Sequence, residues 1–337
     1  MNTYKGNVVM LKRINKKFYF LIASGVILLF LAGIIIKNHF NKINNSNISG
    51  YIPVAFSTDD NYVLPTIVSI TSILENSNKN TKYKFYILVP DDLRNDNSEK
   101  LQLIKDKYKN CDISLINMHN EFKNSEKKSW STAMYYRLRL SGILPEENKC
   151  IYLDGDTIVK KDLSELYNID ISDYYVAGVA DDRRAFRKDY GEVIGIDNMQ
   201  HYICSGVLFW NLEKIRNENI ESKFDEFIYK KVDTEKVSEC PDQDAINAVC
   251  FDKILDIPFK YDVMLHMGIK EPYESSFAAQ ICFSKEEWEE GIKNPAIIHY
   301  TGYKPWKNNS TYFYDEWLKY AEKSICFEDI KNEYNIQ

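Results

Sequence analysis

Apolar residues follow two alternating patterns from residue 51 onwards, and together these patterns predict a layered α/β fold. Short apolar runs at 52–57, 85–89 and 150–153 are typical of buried strands, and apolar residues at helical spacing lie between Leu64 and Leu74. Further helices are predicted over 95–107, 131–140, 212–230 and 242–250, and further strands over 113–116, 176–180, 203–210 and 296–298. This alternation predicts a mostly parallel sheet with helices on both faces, whose ligands bind beyond the carboxyl ends of the strands.

The first fifty residues follow a different pattern. Residues 18–36 are nineteen consecutive residues without a charge, close to the ~20 residues that cross a bilayer as a helix. We therefore predict a short basic tail at 1–17, one transmembrane helix at 18–37, a polar stem at 38–50 and a folded domain at 51–330. A cleaved signal peptide is the alternative, but no A-x-A-like site follows the apolar run. We expect a single-pass membrane protein. The basic residues before the run favour a cytoplasmic amino terminus, whereas cysteines without a disulfide pattern favour a reducing compartment for the folded domain, so its side is left open.

The folded part of the chain is strongly acidic. Residues 1–50 hold seven of the 43 basic residues and no acidic one, which leaves 36 basic against 49 acidic residues. Such a surface repels nucleic acid, so no nucleic-acid partner is expected. The seven cysteines include no C-x-x-C pair. This pattern argues against a zinc knuckle and a disulfide framework, and most of the cysteines are expected to be buried free thiols.

The most informative chemical feature is Asp154-Gly155-Asp156, which directly follows the predicted strand at 150–153. Carboxylates at the end of a buried strand are costly unless a cation receives them. Gly155 is expected to allow a tight turn, so that both acids face one divalent ion. The sequence therefore predicts a metal site here.

A second candidate segment is 299–306, which begins with His299 at the end of an apolar strand. An imidazole beside two carboxylates suits Mn²⁺ better than Ca²⁺, and Mg²⁺ stays possible. Gly302 permits close approach of the backbone to a ligand, and Lys304 supplies a positive charge for a phosphate. Taken alone, the same residues also fit an ordinary histidine at a strand end and a surface turn.

Six motifs lie in a characteristic order along the chain. They are Phe56-Ser57-Thr58-Asp59-Asp60-Asn61-Tyr62, Tyr136-Arg137-Leu138, Tyr152-Leu153-Asp154-Gly155-Asp156, Tyr202-Ile203-Cys204-Ser205-Gly206-Val207, Asp242-Gln243-Asp244 and the segment 299–306. In this order, over residues 52–320, the chain resembles glycosyltransferase family 8, which includes bacterial lipopolysaccharide galactosyl- and glucosyltransferases and the glycogenins. The resemblance implies a GT-A fold with a Rossmann-like, mixed but mostly parallel sheet. It also implies a retaining, Mn²⁺-dependent transferase that uses a UDP-sugar.

The resemblance further implies roles for individual residues. Asp154, Asp156 and His299 would bind the metal ion. Gln243 and Asp242 would lie beside the reacting anomeric carbon, and Asp181 would hydrogen-bond the donor sugar. The residues that would bind the UDP-sugar are Ser57, Asp59, Asn61, Tyr62, Arg137, Gly155, Gly302 and Lys304.

Two positions depart from the family pattern. Only one residue separates Gly302 from Lys304 where the family usually has two, and Cys204 stands where the family commonly has Asn. A thiol cannot copy the hydrogen bonds of an amide, so recognition of the sugar is expected to differ there.

The implied reaction moves a glucose- or galactose-type hexose to a hydroxyl of a glycan, a lipopolysaccharide-type acceptor or a glycolipid. A metal ion and Lys304 would stabilise the charge of the departing diphosphate. Because Gln243 carries a neutral amide and is a poor nucleophile, front-face attack with Gln243 positioning the sugar is favoured. Two alternatives stay open. One is a membrane-tethered sugar-binding module with a decayed transferase fold, and the other is a haloacid-dehalogenase-type phosphatase, which also carries a D-x-D pattern at a strand end.

Overall fold

Ten strands form two sheets in the computed structural model, which describes residues 50–187 and 189–336. The strands are β1 (Tyr51–Ser57), β2 (Lys82–Val89), β3 (Cys111–Asn117), β4 (Lys149–Leu153), β5 (Thr157–Val159), β6 (Val176–Ala180), β7 (Ile203–Asn211), β8 (Ile254–Asp256), β9 (Val263–Met264) and β10 (Ile297–His299). The larger sheet has the order β3-β2-β1-β4-β7-β6-β8, and the smaller sheet has the order β5-β10-β9. Strand β7 runs antiparallel to β4 and β6, whereas the other pairs of the larger sheet are parallel. The sheet is therefore mixed but mostly parallel, as expected.

Helices connect the strands and flank the larger sheet. The α-helices are α1 (Val63–Glu75), α2 (Asn95–Lys107), α3 (Leu140–Ile143), α4 (Ser164–Tyr167), α5 (Arg183–Phe186), α6 (Tyr190–Ile194), α7 (Leu212–Asn217), α8 (Ile220–Phe227), α9 (Pro241–Val249), α10 (Phe277–Cys282), α11 (Lys285–Lys293), α12 (Tyr314–Lys323) and α13 (Phe327–Tyr334). A π-helix follows α8 at Ile228–Thr234. Short 3-10 helices lie at Thr132–Arg139, Phe251–Lys253, Phe259–Tyr261, Leu265–Met267 and Tyr273–Ser275.

The hydrophobic core lies on both faces of the larger sheet. In β1, Val54 and Phe56 belong to one buried cluster and Ala55 between them belongs to a second cluster, because successive side chains of a strand point to opposite faces. Ile67 of α1 packs in the first cluster, and Phe224 of α8 packs in the second. Burial on both faces explains why the strands form continuous apolar runs in the sequence.

Two of the predicted helices differ from the structure. The segment predicted as a helix over 131–140 is a 3-10 helix at Thr132–Arg139 followed by the short helix α3. The continuous helix predicted over 212–230 is wrong, because Asn219 has a left-handed φ of 52° between α7 and α8. A left-handed residue stops a right-handed helix, and asparagine tolerates this conformation better than most residues. The helix predicted over 95–107 is confirmed as α2.

The predicted basic tail at 1–17, the transmembrane helix at 18–37 and the stem up to residue 49 lie outside the described residues. From residue 50 onwards, no helix that the structure describes combines the length and the apolar character needed to cross a bilayer.

Candidate active site

A cavity of about 650 Å³ opens at the carboxyl ends of β1, β4 and β6. This is the place where a sheet of this kind binds ligands. Each of the predicted site residues lines the cavity: Ser57, Asp59, Asn61, Tyr62, Arg137, Asp154, Gly155, Asp156, Asp181, Asp242, Gln243, His299, Gly302 and Lys304. The tertiary structure thus brings together side chains that are widely separated in the sequence, while their individual roles stay predictions.

The three predicted metal ligands form one group. The ligand atoms of Asp154, Asp156 and His299 all lie within 4.8 Å of one another. His299 Nε2 lies 3.4 Å from Asp156 Oδ1 and 4.0 Å from Asp154 Oδ2. Two carboxylates and one imidazole that converge in this way form a ligand set that fits a divalent metal ion.

Strand pairing places His299 beside the two acids. Strand β5 begins directly after Asp156 and pairs antiparallel with β10, so Thr157 lies opposite His299. The amide of Tyr300 donates to the carbonyl oxygen of Asp156 at 3.0 Å. The register of two short strands therefore sets the spacing of the predicted metal ligands, which makes the group more rigid than a group carried by loops.

Lys304 reaches the same group despite its shortened spacing from Gly302. Its Nζ contacts Asp156 Oδ2 and donates to the carbonyl oxygen of Tyr300 at 2.8 Å. Burial alone would raise the pKa of Asp156, but Lys304 and His299 outweigh it and hold that pKa well below its usual range. Gly302 has a left-handed φ of 73°, which explains the glycine there.

Arg137 is a buried residue of the cavity wall that contacts Asp154. Its Nη2 donates to Asp154 Oδ1 at 2.7 Å, and its Nε lies 3.2 Å from Asp242 Oδ2. The guanidinium also stacks over the ring of Tyr152, 4.4 Å from its centroid. Burial would lower the pKa of Arg137, but Asp154 and the other neighbours raise it, so the arginine stays charged. Arg137 thus links a predicted metal ligand to a predicted catalytic acid.

Gln243 and Asp242 lie in the first turn of α9, which Pro241 begins. The backbone amide of Ser205 donates to Gln243 Oε1 at 2.9 Å, and Gln243 Nε2 donates to the Tyr202 hydroxyl at 3.3 Å. These two bonds orient the Gln243 amide. Burial raises the pKa of Asp242, although the charge of Arg137 opposes this effect.

Asp181 belongs to a second polar group that sequence reasoning found only in part. His266 Nε2 lies 3.5 Å from Asp182 Oδ1 and 4.0 Å from Asp181 Oδ2, and His266 Nδ1 lies 2.7 Å from Thr301 Oγ1. Burial raises the pKa of Asp181, so this acid binds a proton more readily than an exposed one. Asp182 is adjacent to Asp181 in the sequence, but nothing local in the sequence pointed to His266.

The predicted nucleotide loop directly follows β1. Asp59 Oδ1 accepts from the backbone amide of Asn61 at 3.0 Å, which stabilises the turn. The ring of Tyr62 packs edge-on against Trp306, 5.9 Å away, and burial followed by the charge of Asp156 raises the pKa of Tyr62 to about 12. Ser57 ends β1 at the cavity wall.

Two glycines are needed because neighbouring side chains come very close. A Cβ at Gly206 would lie only 2.0 Å from His299 Cε1, and a Cβ at Gly155 would lie 2.5 Å from Thr66 Oγ1. Gly155 lies in the turn between β4 and β5, as expected, with a φ that is not left-handed, and its missing side chain also leaves room for Thr66 of α1. Gly206 occurs in a motif that the sequence singled out, but its contact with His299 was not predicted.

Asp262 is the main residue that sequence reasoning missed. Its side chain is fully buried, and its Oδ1 lies 2.9 Å from His299 Nδ1. A single acid among the apolar residues 261–265 was the available signal, because a buried carboxylate needs a partner. Cys204 also faces this nitrogen, with its Sγ 4.0 Å away. The seven cysteines are free thiols, as expected.

Comparisons with known proteins identify the family of this chain. The sequence profile described as "Glycosyl transferase family 8" matches residues 53–310. "General stress protein A" of Bacillus subtilis (strain 168) is 28% identical over 78% of this chain and 90% of its own length. "Lipopolysaccharide 1,2-glucosyltransferase" of Escherichia coli is 30% identical over 84% of this chain and 78% of its own length.

Solved structures share the fold. The galactosyltransferase LgtC, solved in complex with donor and acceptor sugar analogues, has a TM-score of 0.68 at 20% identity and covers 81% of this chain and 96% of its own. The bifunctional glycosyltransferase WbbM has a TM-score of 0.71 at 21% identity and covers 86% of this chain and 52% of its own. The architecture is thus the mixed α/β, GT-A-like fold. From the match over 53–310, the chain belongs to glycosyltransferase family 8.

Proposed function

We propose that this family 8 glycosyltransferase moves a glucose- or galactose-type hexose from a UDP-sugar to a hydroxyl of a glycan or glycolipid, with retention of configuration. The observation that carries the proposal is the convergence of Asp154, Asp156, His299 and Lys304 at one place in the cavity. A diphosphate can bind in a cavity lined by several carboxylates only where positively charged groups offset the negative charges. Lys304 and a divalent metal ion would together supply that charge.

The ligand set favours Mn²⁺ as the metal ion, with Mg²⁺ as the second candidate. Asp154 and Asp156 offer hard carboxylate oxygens, and His299 offers an imidazole nitrogen, which Mn²⁺ accepts more readily than Ca²⁺ or Mg²⁺. When bound, the ion would stabilise the negative charge that develops on the diphosphate as its bond to the sugar breaks.

The other cavity residues would hold the donor sugar. Asp181 would accept a hydrogen bond from a sugar hydroxyl, and Arg137 would keep Asp154 in place through its hydrogen bond. Gln243 is held by Ser205 and Tyr202 and carries no charge, so it would position the sugar rather than attack it. The acceptor hydroxyl would then attack from the face that the diphosphate leaves. A glycosyl adduct trapped on the protein and detected by mass spectrometry would contradict this route.

The relatives favour a bacterial glycan as the acceptor. The similar Escherichia coli protein is named for transfer of glucose to lipopolysaccharide, so a lipopolysaccharide-type glycan or another glycolipid is the acceptor we propose here. Attachment to a membrane through residues 18–37 would hold the catalytic domain near such an acceptor. This attachment is a proposal from the sequence alone.

The direct test is release of UDP from a panel of UDP-sugars by the purified protein. With Mn²⁺ we expect slow hydrolysis of UDP-glucose or UDP-galactose without an acceptor, and EDTA should stop it because the diphosphate loses its counter-ion. A sugar-binding module with a decayed site would bind donors and release no UDP. A haloacid-dehalogenase-type phosphatase would instead release phosphate from phosphomonoesters, and either result would contradict the proposal.

Trp130 is a candidate for contact with the acceptor. It lines the cavity with 48% of its surface exposed, whereas the other four tryptophans are buried. Among the residues that the structure describes, no other aromatic ring packs against the Trp130 indole. The loop that carries it is held in place, because Tyr135 donates to the carbonyl oxygen of Glu126, whose amide donates to Asp233 at 2.8 Å. An exposed indole offers an apolar face against which a sugar ring can pack, while the hydroxyls of that sugar donate hydrogen bonds to carboxylates of the same cavity.

We expect Trp130→Ala to raise the KM for the acceptor about tenfold, the loss expected for one aromatic contact of this kind. Slow hydrolysis of the donor without an acceptor should change by less than about twofold, because the donor does not depend on this contact. Trp130→Phe keeps a ring and is the matched control, which should stay close to the wild type. Steady-state measurement of UDP release, with and without acceptor, checks the prediction. An equal loss of hydrolysis and transfer would assign Trp130 to donor binding instead.

A further inference from the structure

One buried carboxylate, that of Asp262, contacts the imidazole of His299. Asp262 has no exposed surface, and its Oδ1 lies 2.9 Å from His299 Nδ1. On the opposite side of the ring, Nε2 faces Asp156 Oδ1 at 3.4 Å and Asp154 Oδ2 at 4.0 Å. The imidazole therefore lies between one carboxylate behind it and two carboxylates in front of it.

Strand pairing holds Asp262 in this position. Asp262 directly precedes β9, and β9 pairs in parallel with β10 so that Met264 lies beside His299. The backbone amide of Asp262 donates to the carbonyl oxygen of Phe259 at 3.0 Å. The close contact of His299 with Gly206 leaves the ring no room to move towards β7. The geometry is thus set by the fold rather than by flexible side chains.

A histidine binds a metal ion only through a nitrogen that carries no proton. A carboxylate that accepts a hydrogen bond from Nδ1 keeps the proton on Nδ1, and it leaves the Nε2 lone pair free and makes it more basic. A neutral or donating group at the position of this carboxylate would not keep the proton on Nδ1.

We propose that Asp262 is a positioning residue that holds His299 by Nδ1 and so presents Nε2 to a divalent cation bound by Asp154 and Asp156. The inference rests on the metal dependence within the proposed function. It deepens that function, because it assigns part of the cation affinity to a residue that touches neither the cation nor the substrate.

One feature of Asp262 agrees with this role. Its second oxygen, Oδ2, is buried and has no hydrogen-bond partner among the residues that the structure describes. A buried oxygen without a partner destabilises a fold, so a purely structural role would be served as well by an apolar residue of similar size. An aspartate here is explained by what it does to His299.

The test compares the affinity for Mn²⁺ in the wild type, Asp262→Asn and Asp262→Ala. Free Mn²⁺ is followed by electron paramagnetic resonance in the presence of UDP. We expect the Kd for Mn²⁺ to rise about tenfold in Asp262→Asn, whose amide can still accept from Nδ1, and about 100-fold in Asp262→Ala. Asp162→Asn is the matched control, because Asp162 accepts hydrogen bonds from Asn78 and Ser164 outside the cavity and should leave the Kd unchanged.

Each further outcome has a defined meaning. A wild-type Kd in both folded Asp262 variants would overturn the inference and leave the proposed function intact. Failure of the wild type to bind Mn²⁺ would overturn both. Cys204, Asp262 and His299 also offer ligand atoms within 4.8 Å of one another. A thiolate-to-Co²⁺ charge-transfer band in the Co²⁺-loaded wild type would therefore place the cation behind His299 and overturn the positioning role.

Discussion

Replacing Asp156 with asparagine is expected to lower the rate of sugar transfer by about 100-fold or more, even at saturating Mn²⁺. Asp156 is buried and contacts both Lys304 and His299. The substitution keeps the size of the side chain but removes its charge, so a bound cation would lose an anionic ligand and Lys304 would lose its carboxylate partner. The measurement is kcat for transfer together with the Kd for Mn²⁺. We expect kcat to fall and the Kd to rise.

Glu316→Gln provides the matched control for this substitution. Glu316 also pairs with a lysine, Lys160, but neither residue lines the cavity. Loss of a partly exposed pair of this kind costs about 1 kcal/mol or less and should leave transfer unchanged. If Asp156→Asn kept transfer within about tenfold of the wild type at saturating Mn²⁺, Asp156 would not be a required metal ligand.

Replacing Gly206 with alanine is expected to remove most of the affinity for Mn²⁺ without any change in a predicted ligand. The added Cβ would lie 2.0 Å from His299 Cε1, so the ring has to leave its position. We expect the Kd for Mn²⁺ to rise and the transfer rate to fall, each by about 100-fold, as for loss of an oriented ligand. Overpacking should also reduce the free energy of unfolding by about 1–3 kcal/mol.

Gly291→Ala separates the two effects of the Gly206 substitution. A Cβ at Gly291 in α11 would lie 2.8 Å from Phe259 Cδ1, so this variant also overpacks the core, but Gly291 does not line the cavity. It should lose stability on thermal unfolding and keep the wild-type affinity for Mn²⁺. Tight Mn²⁺ binding in folded Gly206→Ala would show that His299 either tolerates displacement or is not a ligand.

Asp156 lies between two basic side chains, His299 and Lys304. Burial would lower the pKa of His299, but Asp262 and Asp156 raise it well above its usual range, and Lys304 adds a second positive charge. In the proposed function, a divalent ion would therefore compete with a proton for His299 and with Lys304 for Asp156. A lysine released from Asp156 would be free to contact the diphosphate.

Local sequence patterns were sufficient for most strands of the larger sheet and for the residues that carry obvious chemistry. Apolar runs predicted strands such as β4 and β6, because strands buried on both faces have to be apolar throughout. The pair Asp154 and Asp156 was recognisable because it directly follows such a strand. The break between α7 and α8 at Asn219 was not recognisable, because the helical pattern of apolar residues continues on both sides of it.

The sequence by itself determined the class of the fold, the candidate acids and the family. Only the tertiary structure decided which distant residues act on one another. Asp262 faces His299 through the register of β9 with β10, and Gly206 faces it from β7. Strand register depends on the packing of the whole sheet and leaves no local pattern in the sequence. The candidate acids could therefore be found from the order of residues along the chain. The contacts of Asp262 and Gly206 with His299 arise only from long-range strand pairing.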